Sequence, residues 1–188
     1  MAMNLLHRRC CSSDRWAKQV EEQMIPWVLT EVDLGDNVLE IGPGYGANLR
    51  VLVERAPKYT AVEIDHAMAQ RLNDKYGSRA RIVHGDGTDT GLPAAEFSSV
   101  VCFTMLHHVP TPELQDRLFA EAFRVLRPGG VFAGSDGVPS LGFRLVHFRD
   151  TYNPVAPDTL PDRLRRAGFG DVQVETRDRR QRWRAVKP

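Results

Sequence analysis

The sequence predicts a single α/β domain built on a doubly wound, mainly parallel sheet. Two observations support this prediction: short apolar runs of strand length alternate with longer segments of helical period, and no repeat or flexible linker divides the 188 residues. A chain of this length supports one core better than two. The 25 Lys and Arg residues nearly balance the 24 Asp and Glu residues, so a net charge of +1 offers no chain-wide attraction for nucleic acid or an anionic membrane.

The strands are predicted from apolar runs that turn residues bound on either side. Five of them are expected to be parallel, at 37–41, 60–64, 80–84, 98–103 and 131–134. Two more, near 171–176 and 181–186, are expected to form an antiparallel hairpin.

The helices are predicted from apolar spacings of three and four residues. Ser12 or Ser13 can cap an opening helix, and Pro128-Gly129-Gly130 stops the helix predicted for 114–126. The other helices are predicted at 49–53, 67–76 and 160–167, and the breaker-rich stretch 136–157 is predicted to be irregular.

A glycine-rich turn follows the first predicted strand. Gly42, Gly44 and Gly46 let the backbone turn sharply and let a ligand approach without meeting a Cβ atom. In a doubly wound sheet the ligand lies beyond the carboxyl ends of the strands, so this turn is a candidate ligand cradle. The spacing is G-x-G-x-G, which differs from the G-x-G-x-x-G of nicotinamide and flavin folds and argues against a nicotinamide-dependent reductase.

Acidic residues follow the next two strands. Glu63 lies about 20 residues after the glycines, where a carboxylate can accept hydrogen bonds from ribose hydroxyls. A carboxylate also suits a cofactor that carries a sulfonium cation and no phosphate. Asp65 is predicted to cap the following helix. After the third strand, Asp86 can accept a hydrogen bond from an adenine amine while the neighbouring N–H of Gly87 faces a ring nitrogen.

Together these motifs resemble the class I S-adenosylmethionine (SAM)-dependent methyltransferases over residues 36–135, and the stretches 97–108 and 124–130 add to the similarity. The resemblance implies one domain, 1–188, with a seven-stranded sheet of order 3-2-1-4-5-7-6 whose last strand is antiparallel. Within it, 12–31 would be an N-terminal lid helix and 136–188 would supply the substrate-side loop, the last helix and the hairpin.

The same resemblance implies SAM as the cofactor and S-adenosylhomocysteine as the product. It assigns Glu40 and the three glycines to the methionine end, Glu63 to the ribose, and Asp86 with Gly87 to the adenine. The backbone of Phe103 and Thr104 would meet the amino-acid portion.

The methyl acceptor is expected to be a small molecule. The glycine turn and residues 61–65 look much like those of the ribosomal RNA adenine dimethyltransferases, which carry Asn-Leu-Pro-Tyr or a near variant after the fourth strand. This chain has Phe103-Thr104-Met105-Leu106 there and resembles the small-molecule branch, so no nucleic-acid partner is expected. Methylation of RNA or protein, or a non-catalytic SAM-binding partner subunit, remain the alternatives.

Candidate catalytic residues follow the fourth and fifth strands. His107 and His108 could take a proton from an acceptor, and Asp136 could face the same cavity. The competing interpretation places one histidine in the core and the other in the next turn. The acceptor pocket is expected to be lined by Arg15 and Trp16 of the opening helix and by three residues of the irregular stretch: Phe143, His147 and Tyr152.

The remaining predictions concern location and metals. No apolar run approaches the ~20 residues that span a bilayer, and the first six residues are too short for a signal peptide. An odd number of cysteines, two of them adjacent, favours a reducing cytoplasm. His7, Cys10 and Cys11 match no common zinc spacing, so no metal site is predicted.

Overall fold

The computed structural model describes residues 4–188, and for residues 5–7 it describes the backbone alone. Seven strands form one sheet of order β3-β2-β1-β4-β5-β7-β6. Their bounds are β1 Asn37–Ile41, β2 Lys58–Glu63, β3 Arg81–His84, β4 Phe97–Phe103, β5 Leu126–Gly137, β6 Gly170–Arg177 and β7 Arg180–Val186. The first five strands pair in parallel, and β7 runs antiparallel to both β5 and β6. The predicted fold class and strand order are confirmed.

The helices cover the sheet on both faces. They are α1 Leu5–Cys11, α2 Asp14–Gln19, α3 Ile25–Val28, α4 Leu49–Leu52, α5 His66–Tyr76, α6 Pro112–Val125, α7 Leu141–Val146 and α8 Leu160–Arg166. A π-helical segment, Val20–Met24, joins α2 to α3, and a short 3₁₀ turn, Leu106–His108, follows β4. No helix within residues 4–188 has the length and apolar character that crossing a bilayer requires.

Side-chain caps place several helices where the sequence predicts them. The Ser13 hydroxyl accepts a hydrogen bond from the backbone N–H of Trp16, which fixes the start of α2 at Asp14. Asp65 caps α5 in the same way through the N–H of Met68, at 3.0 Å. This bond lowers the pKa of the Asp65 carboxyl, because it stabilises the charged form.

Three sequence-based predictions of local structure are wrong. The stretch 136–157 is not wholly irregular, because Ser140 caps the short helix α7 through the N–H of Phe143. The helix before Pro128 ends at Val125, and β5 begins at once with Leu126, so the Pro-Gly-Gly segment lies inside a strand. The opening helix is interrupted by the π-helical segment, and α1 precedes it.

Two hydrophobic clusters occupy the two faces of the sheet. One lies under α6 and α8 and includes Phe119, Phe132 and Trp183, all at most 1% exposed. The other lies under the N-terminal helices and α5 and includes Met24 and Leu52. Cys102 on β4 is fully buried, so its thiol belongs to the core.

Candidate cofactor and acceptor site

The glycine turn after β1 combines two constrained positions with one open position. All three glycines have positive φ, at 70° for Gly42, 55° for Gly44 and 77° for Gly46. A Cβ atom on Gly42 would lie 2.9 Å from Met105, and one on Gly46 would lie 2.8 Å from Leu72. At Gly44 it would meet no atom of the described residues within 4 Å. The turn therefore packs tightly at its two ends and leaves an open surface at its centre.

Glu63 connects this turn to the end of β2. Its carboxylate is 5% exposed and accepts hydrogen bonds from the backbone N–H of Gly44, at 2.9 Å, and of Asp65, at 3.0 Å. A carboxylate oxygen has more than one lone pair, so each oxygen can accept a further hydrogen bond from a ligand hydroxyl. The predicted ribose-binding residue thus lies at the turn with acceptor capacity to spare.

A cleft with an empty volume of about 790 Å³ opens above the carboxyl ends of β1, β2 and β4. Seven of the residues predicted for the cofactor or the acceptor line it, namely Trp16, Gly42, Gly44, Glu63, Phe103, Thr104 and His108. The structure adds nine residues that the sequence did not place at a ligand site: Cys11, Pro43, Tyr45, Ala47, Asn48, Ile64, Asp65, Met68 and Met105. Burial raises the pKa of Cys11 to about 12, so its thiol stays protonated near neutral pH.

A second cleft of about 610 Å³ adjoins the first. Four residues line both clefts, namely Gly42, Ile64, Met105 and His108. At its edge the exposed Asp86 carboxylate accepts a hydrogen bond from the N–H of Thr88, at 2.8 Å. The apolar wall comprises Ile41, Val62, Val109, Pro110, Leu114 and Leu118. An apolar slot with a carboxylate at its edge suits a flat heteroaromatic ring that carries an amine.

Glu40 lies behind the first cleft and is not part of its wall. Its side chain is fully buried and accepts a hydrogen bond of 2.9 Å from the Tyr59 hydroxyl. Burial raises the pKa of the Glu40 carboxyl to about 7, although bonds from Tyr59 and Asn48 oppose the increase. Asn48 does line the cleft, and its buried Oδ1 atom has no hydrogen-bond partner among the described residues. An acceptor oxygen of this kind fits the cationic, hydrogen-bond-donating end of an amino acid.

His107 and Asp136 form a buried pair. The Asp136 carboxylate accepts hydrogen bonds from the His107 backbone N–H, at 2.8 Å, and from the Gly137 N–H, at 2.7 Å, and its Oδ1 lies 2.5 Å from His107 Nδ1. His107 is 2% exposed, Asp136 is fully buried, and neither lines a cleft. His108, in contrast, lines both. Of the three predicted catalytic residues, only His108 reaches the space where a ligand would lie.

The other residues predicted to line the acceptor pocket lie in two places. Phe143, His147 and Tyr152 pack together, with ring centroids 4.5 Å apart for Phe143 and His147 and 5.4 Å apart for Phe143 and Tyr152. The His107 ring centroid is 4.6 Å from that of His147, so this aromatic group lies beside the His107–Asp136 pair. Arg15 is exposed and lines neither cleft, because adjacent residues on a helix point about 100° apart and Trp16 takes the inward position.

Comparisons with known proteins are consistent with this site. A family model described as a methyltransferase domain matches residues 39–134. The chain is 30% identical over 76% of its length to erythromycin 3''-O-methyltransferase of Saccharopolyspora erythraea. It is 32% identical over 93% of its length to malonyl-[acyl-carrier protein] O-methyltransferase of Geobacter sulfurreducens. Ribosomal RNA small subunit methyltransferase A of Cupriavidus taiwanensis is 44% identical over 29% of the chain.

The chain spans only part of each of these relatives, at 53%, 72% and 20% of their respective lengths. Among solved structures, a protein from Pyrococcus horikoshii OT3 superposes with a TM-score of 0.79 at 15% identity. This superposition covers 95% of the chain and 94% of that protein, and at so low an identity it supports the fold alone.

Proposed function

Because the chain belongs to the class I family of SAM-dependent methyltransferases, we propose that it transfers the methyl group of SAM to a small-molecule acceptor and leaves S-adenosylhomocysteine. The observation that carries this proposal is the pair of adjoining clefts over the strand ends. One has Glu63 and the open face of Gly44, and the other has Asp86 beside an apolar slot. Together they offer separate places for an amino-acid end, a ribose and an adenine.

The residues of the clefts suit the parts of SAM in turn. Asn48 Oδ1 would accept a hydrogen bond from the amino group, and Glu63 would accept hydrogen bonds from the ribose hydroxyls. Asp86 would accept a hydrogen bond from the adenine amine, while Ile64 packs against the ring. When bound, SAM supplies an activated methyl group together with its own leaving group. The protein therefore contributes mainly by positioning the two reactants and excluding water.

The acceptor is proposed to approach at the junction of the two clefts. His108 lines both clefts, and Trp16 closes the first cleft from the side of the N-terminal helices. We assign His108 contact with the acceptor, whereas His107 and Asp136 act behind it as positioning residues. A base is needed only when the acceptor must lose a proton in order to attack.

The charge of the cleft walls favours a small acceptor over RNA. No Lys or Arg is among the described residues that line either cleft, and the first cleft carries the carboxylates of Glu63 and Asp65. A polyanionic acceptor needs basic side chains to neutralise its phosphates. Two relatives that align with most of this chain have an antibiotic and a malonyl group on an acyl-carrier protein in their names, whereas the ribosomal RNA enzyme aligns over 29% of it.

The test is to follow a labelled methyl group. The purified protein is incubated with methyl-labelled SAM and, in parallel, with a metabolite extract, a protein extract and an RNA extract. Label in the metabolite fraction, lost in Glu63→Gln and retained in the surface control Glu96→Gln, is the expected result. Label in RNA or protein would contradict the acceptor class, and cofactor binding with no transfer to any fraction would contradict the enzymatic proposal in favour of a binding subunit.

A further inference from the structure

Three buried imidazoles converge beside the cofactor cleft. His107 and His108 lie in the 3₁₀ turn after β4, and His147 comes from the C-terminal end of α7, about 40 residues further along the chain. They are 2%, 8% and 3% exposed, respectively. One ring nitrogen from each lies within 4.8 Å of the other two. The fold therefore places three potential metal ligands in one water-poor location.

Hydrogen bonds at the Nδ1 atoms of His107 and His147 fix these two rings in the orientation that a metal requires. His147 Nδ1 lies 2.8 Å from the Phe143 carbonyl oxygen, which can only accept, so Nδ1 carries the hydrogen and Nε2 carries the lone pair of the neutral ring. His107 Nδ1 faces the Asp136 carboxylate, so in the neutral ring Nδ1 again carries the hydrogen and Nε2 carries the lone pair. A carboxylate or a backbone carbonyl behind the ligating imidazole is the arrangement found around protein-bound metals.

His107 Nε2 provides an independent indication of a ligand. This atom is buried and has no hydrogen-bond partner among the described residues. Leaving such a polar atom unpaired is unfavourable, and a metal ion at this point would remove that cost. A tetrahedral ion with bonds of 2.0–2.1 Å holds its nitrogen ligands about 3.3 Å apart, so small rotations of the three side chains would close the site.

We propose that His107, His108 and His147 bind one divalent transition-metal ion of the zinc type. Asp136 and the Phe143 carbonyl orient two of the three ligands. Three neutral imidazoles suit Zn²⁺, Co²⁺, Ni²⁺ or Cu²⁺, whereas Mg²⁺ and Ca²⁺ prefer oxygen ligands. Three protein ligands leave a fourth position open, as in catalytic rather than structural zinc sites.

The open position would face the clefts, because His108 lines both of them. An acceptor that carries an oxygen ligand, such as a hydroxyl or carboxylate, could bind to the ion there and be held beside the methyl donor. This second part rests on the proposed function, whereas binding of the ion does not.

Metal binding is tested directly on the intact protein. After treatment with a chelator, the protein is titrated with Zn²⁺ and with Mg²⁺ in a calorimeter, and Co²⁺ is added separately to record visible absorption. We expect one Zn²⁺ per chain, at least 100-fold tighter than Mg²⁺, and the visible bands of tetrahedral Co²⁺. The background is a Cys10→Ser/Cys11→Ser protein, because these two thiols lie outside the cluster but can themselves bind zinc.

Variants assign the ligands. In that background His147→Ala should weaken Zn²⁺ binding at least 100-fold and abolish the Co²⁺ bands, and Asp136→Asn should weaken binding 10–100-fold. His84→Ala is the matched control, since His84 pairs with His66 away from the cluster and should change nothing. Circular dichroism and binding of S-adenosylhomocysteine show whether each variant is folded. For the Cys10→Ser/Cys11→Ser protein with all three histidines in place, X-ray absorption of the Zn²⁺ complex should show three imidazole ligands, which tests the site even where a histidine variant fails to fold.

The outcomes separate the two proposals. Binding of Zn²⁺ no tighter than Mg²⁺, full Zn²⁺ affinity in a folded His147→Ala protein, or sulfur ligands in the absorption spectrum would overturn the metal site, whatever the transfer assay gives. A Zn²⁺ complex with three imidazoles supports the site even if no methyl transfer is observed, and that result would count against the proposed function alone.

Discussion

The buried Glu40 carboxyl predicts an unusual dependence of stability on pH. Its pKa is raised from 4.5 to about 7 in the folded protein, chiefly because it is fully buried. Between these two values the unfolded chain has released the proton and the folded chain has retained it. The folded state binds more protons, so the free energy of unfolding falls as pH rises through this window. Each pKa unit is worth about 1.4 kcal/mol, which gives a loss of about 3 kcal/mol by the time the pH exceeds 7.

Glu40→Gln removes this proton while retaining the shape of the side chain and an oxygen that can accept the Tyr59 hydroxyl bond. Urea unfolding is measured for both proteins at pH 4.5 and at pH 8. The free energy of unfolding of the variant, relative to that of the wild type, should be about 3 kcal/mol higher at pH 8 than at pH 4.5. Glu96→Gln, on the exposed surface, is the control and should parallel the wild type. Parallel pH profiles for Glu40→Gln and wild type would refute the argument, because they would mean that the folded carboxyl ionises at its ordinary pKa.

Three further predictions concern packing, acid stability and cofactor binding. Gly134→Ala should abolish folding or cost several kcal/mol in urea unfolding, because its Cβ would overlap the Cys102 carbonyl oxygen. Gly142→Ala should be neutral or slightly stabilising, because its Cβ would meet only the Arg179 guanidinium, at 4.0 Å. Equal effects of the two substitutions would contradict the packing described. Arg124 and Thr90 lower the pKa of Glu121 to about 2, so its contribution to stability is present above pH 4.5 and lost as the pH falls towards 2. In Glu121→Gln the stability followed by circular dichroism should therefore depend less on pH between 4.5 and 2. Ile64→Ala should weaken binding of S-adenosylhomocysteine about tenfold in calorimetry, because Ile64 lines both clefts. The melting temperature should change little, because Ile64 is 45% exposed. An unchanged dissociation constant would place the adenine elsewhere.

The sheet was predictable because its strands are local and strongly patterned. β1, Asn37–Ile41, is predicted to the residue, since the run 38–41, all buried in the structure, lies between turn residues. The starts of α2 and α5 were equally predictable, because a helix cap depends on one side chain and the backbone N–H three residues further on.

The wrong predictions have a common physical cause. Pro128-Gly129-Gly130 and Gly142 are breakers by residue type, yet the first three lie within β5 and Gly142 lies within α7. The signal that could have identified α7 is Ser140, which caps it. The π-helical segment Val20–Met24 left no comparable signal, because the side chain of its N-cap residue, Gln19, makes no capping hydrogen bond with any described residue.

The positions of the residues proposed to bind the cofactor were largely predictable, and the positions of those proposed to bind the acceptor were not. Gly42, Gly44 and Glu63 lie at the ends of adjacent parallel strands, so their positions along the chain fix their positions in space. Asn48 and Met105 were missed, because their contact with the cleft depends on the path of a loop. The convergence of His147 on His107 was missed for the same reason, since no sequence spacing relates α7 to the turn after β4.

Selection of the acceptor should therefore depend on segments far apart in sequence that meet at one edge of the sheet. The side-chain amide of Asn4 donates hydrogen bonds to the carbonyl oxygens of Val146, at 2.9 Å, and of Phe148, at 3.2 Å, which attaches the N-terminal segment to the end of α7. The N-terminal side contributes Cys11 and Trp16 to the cleft wall, and α7 positions His147 beside the residues that reach it. A substitution in either segment would shift the other through these bonds, whereas the glycine turn and Glu63 are held by β1 and β2. The same sheet could thus retain its cofactor while the acceptor changes, which is consistent with relatives that share this domain and have different acceptors in their names.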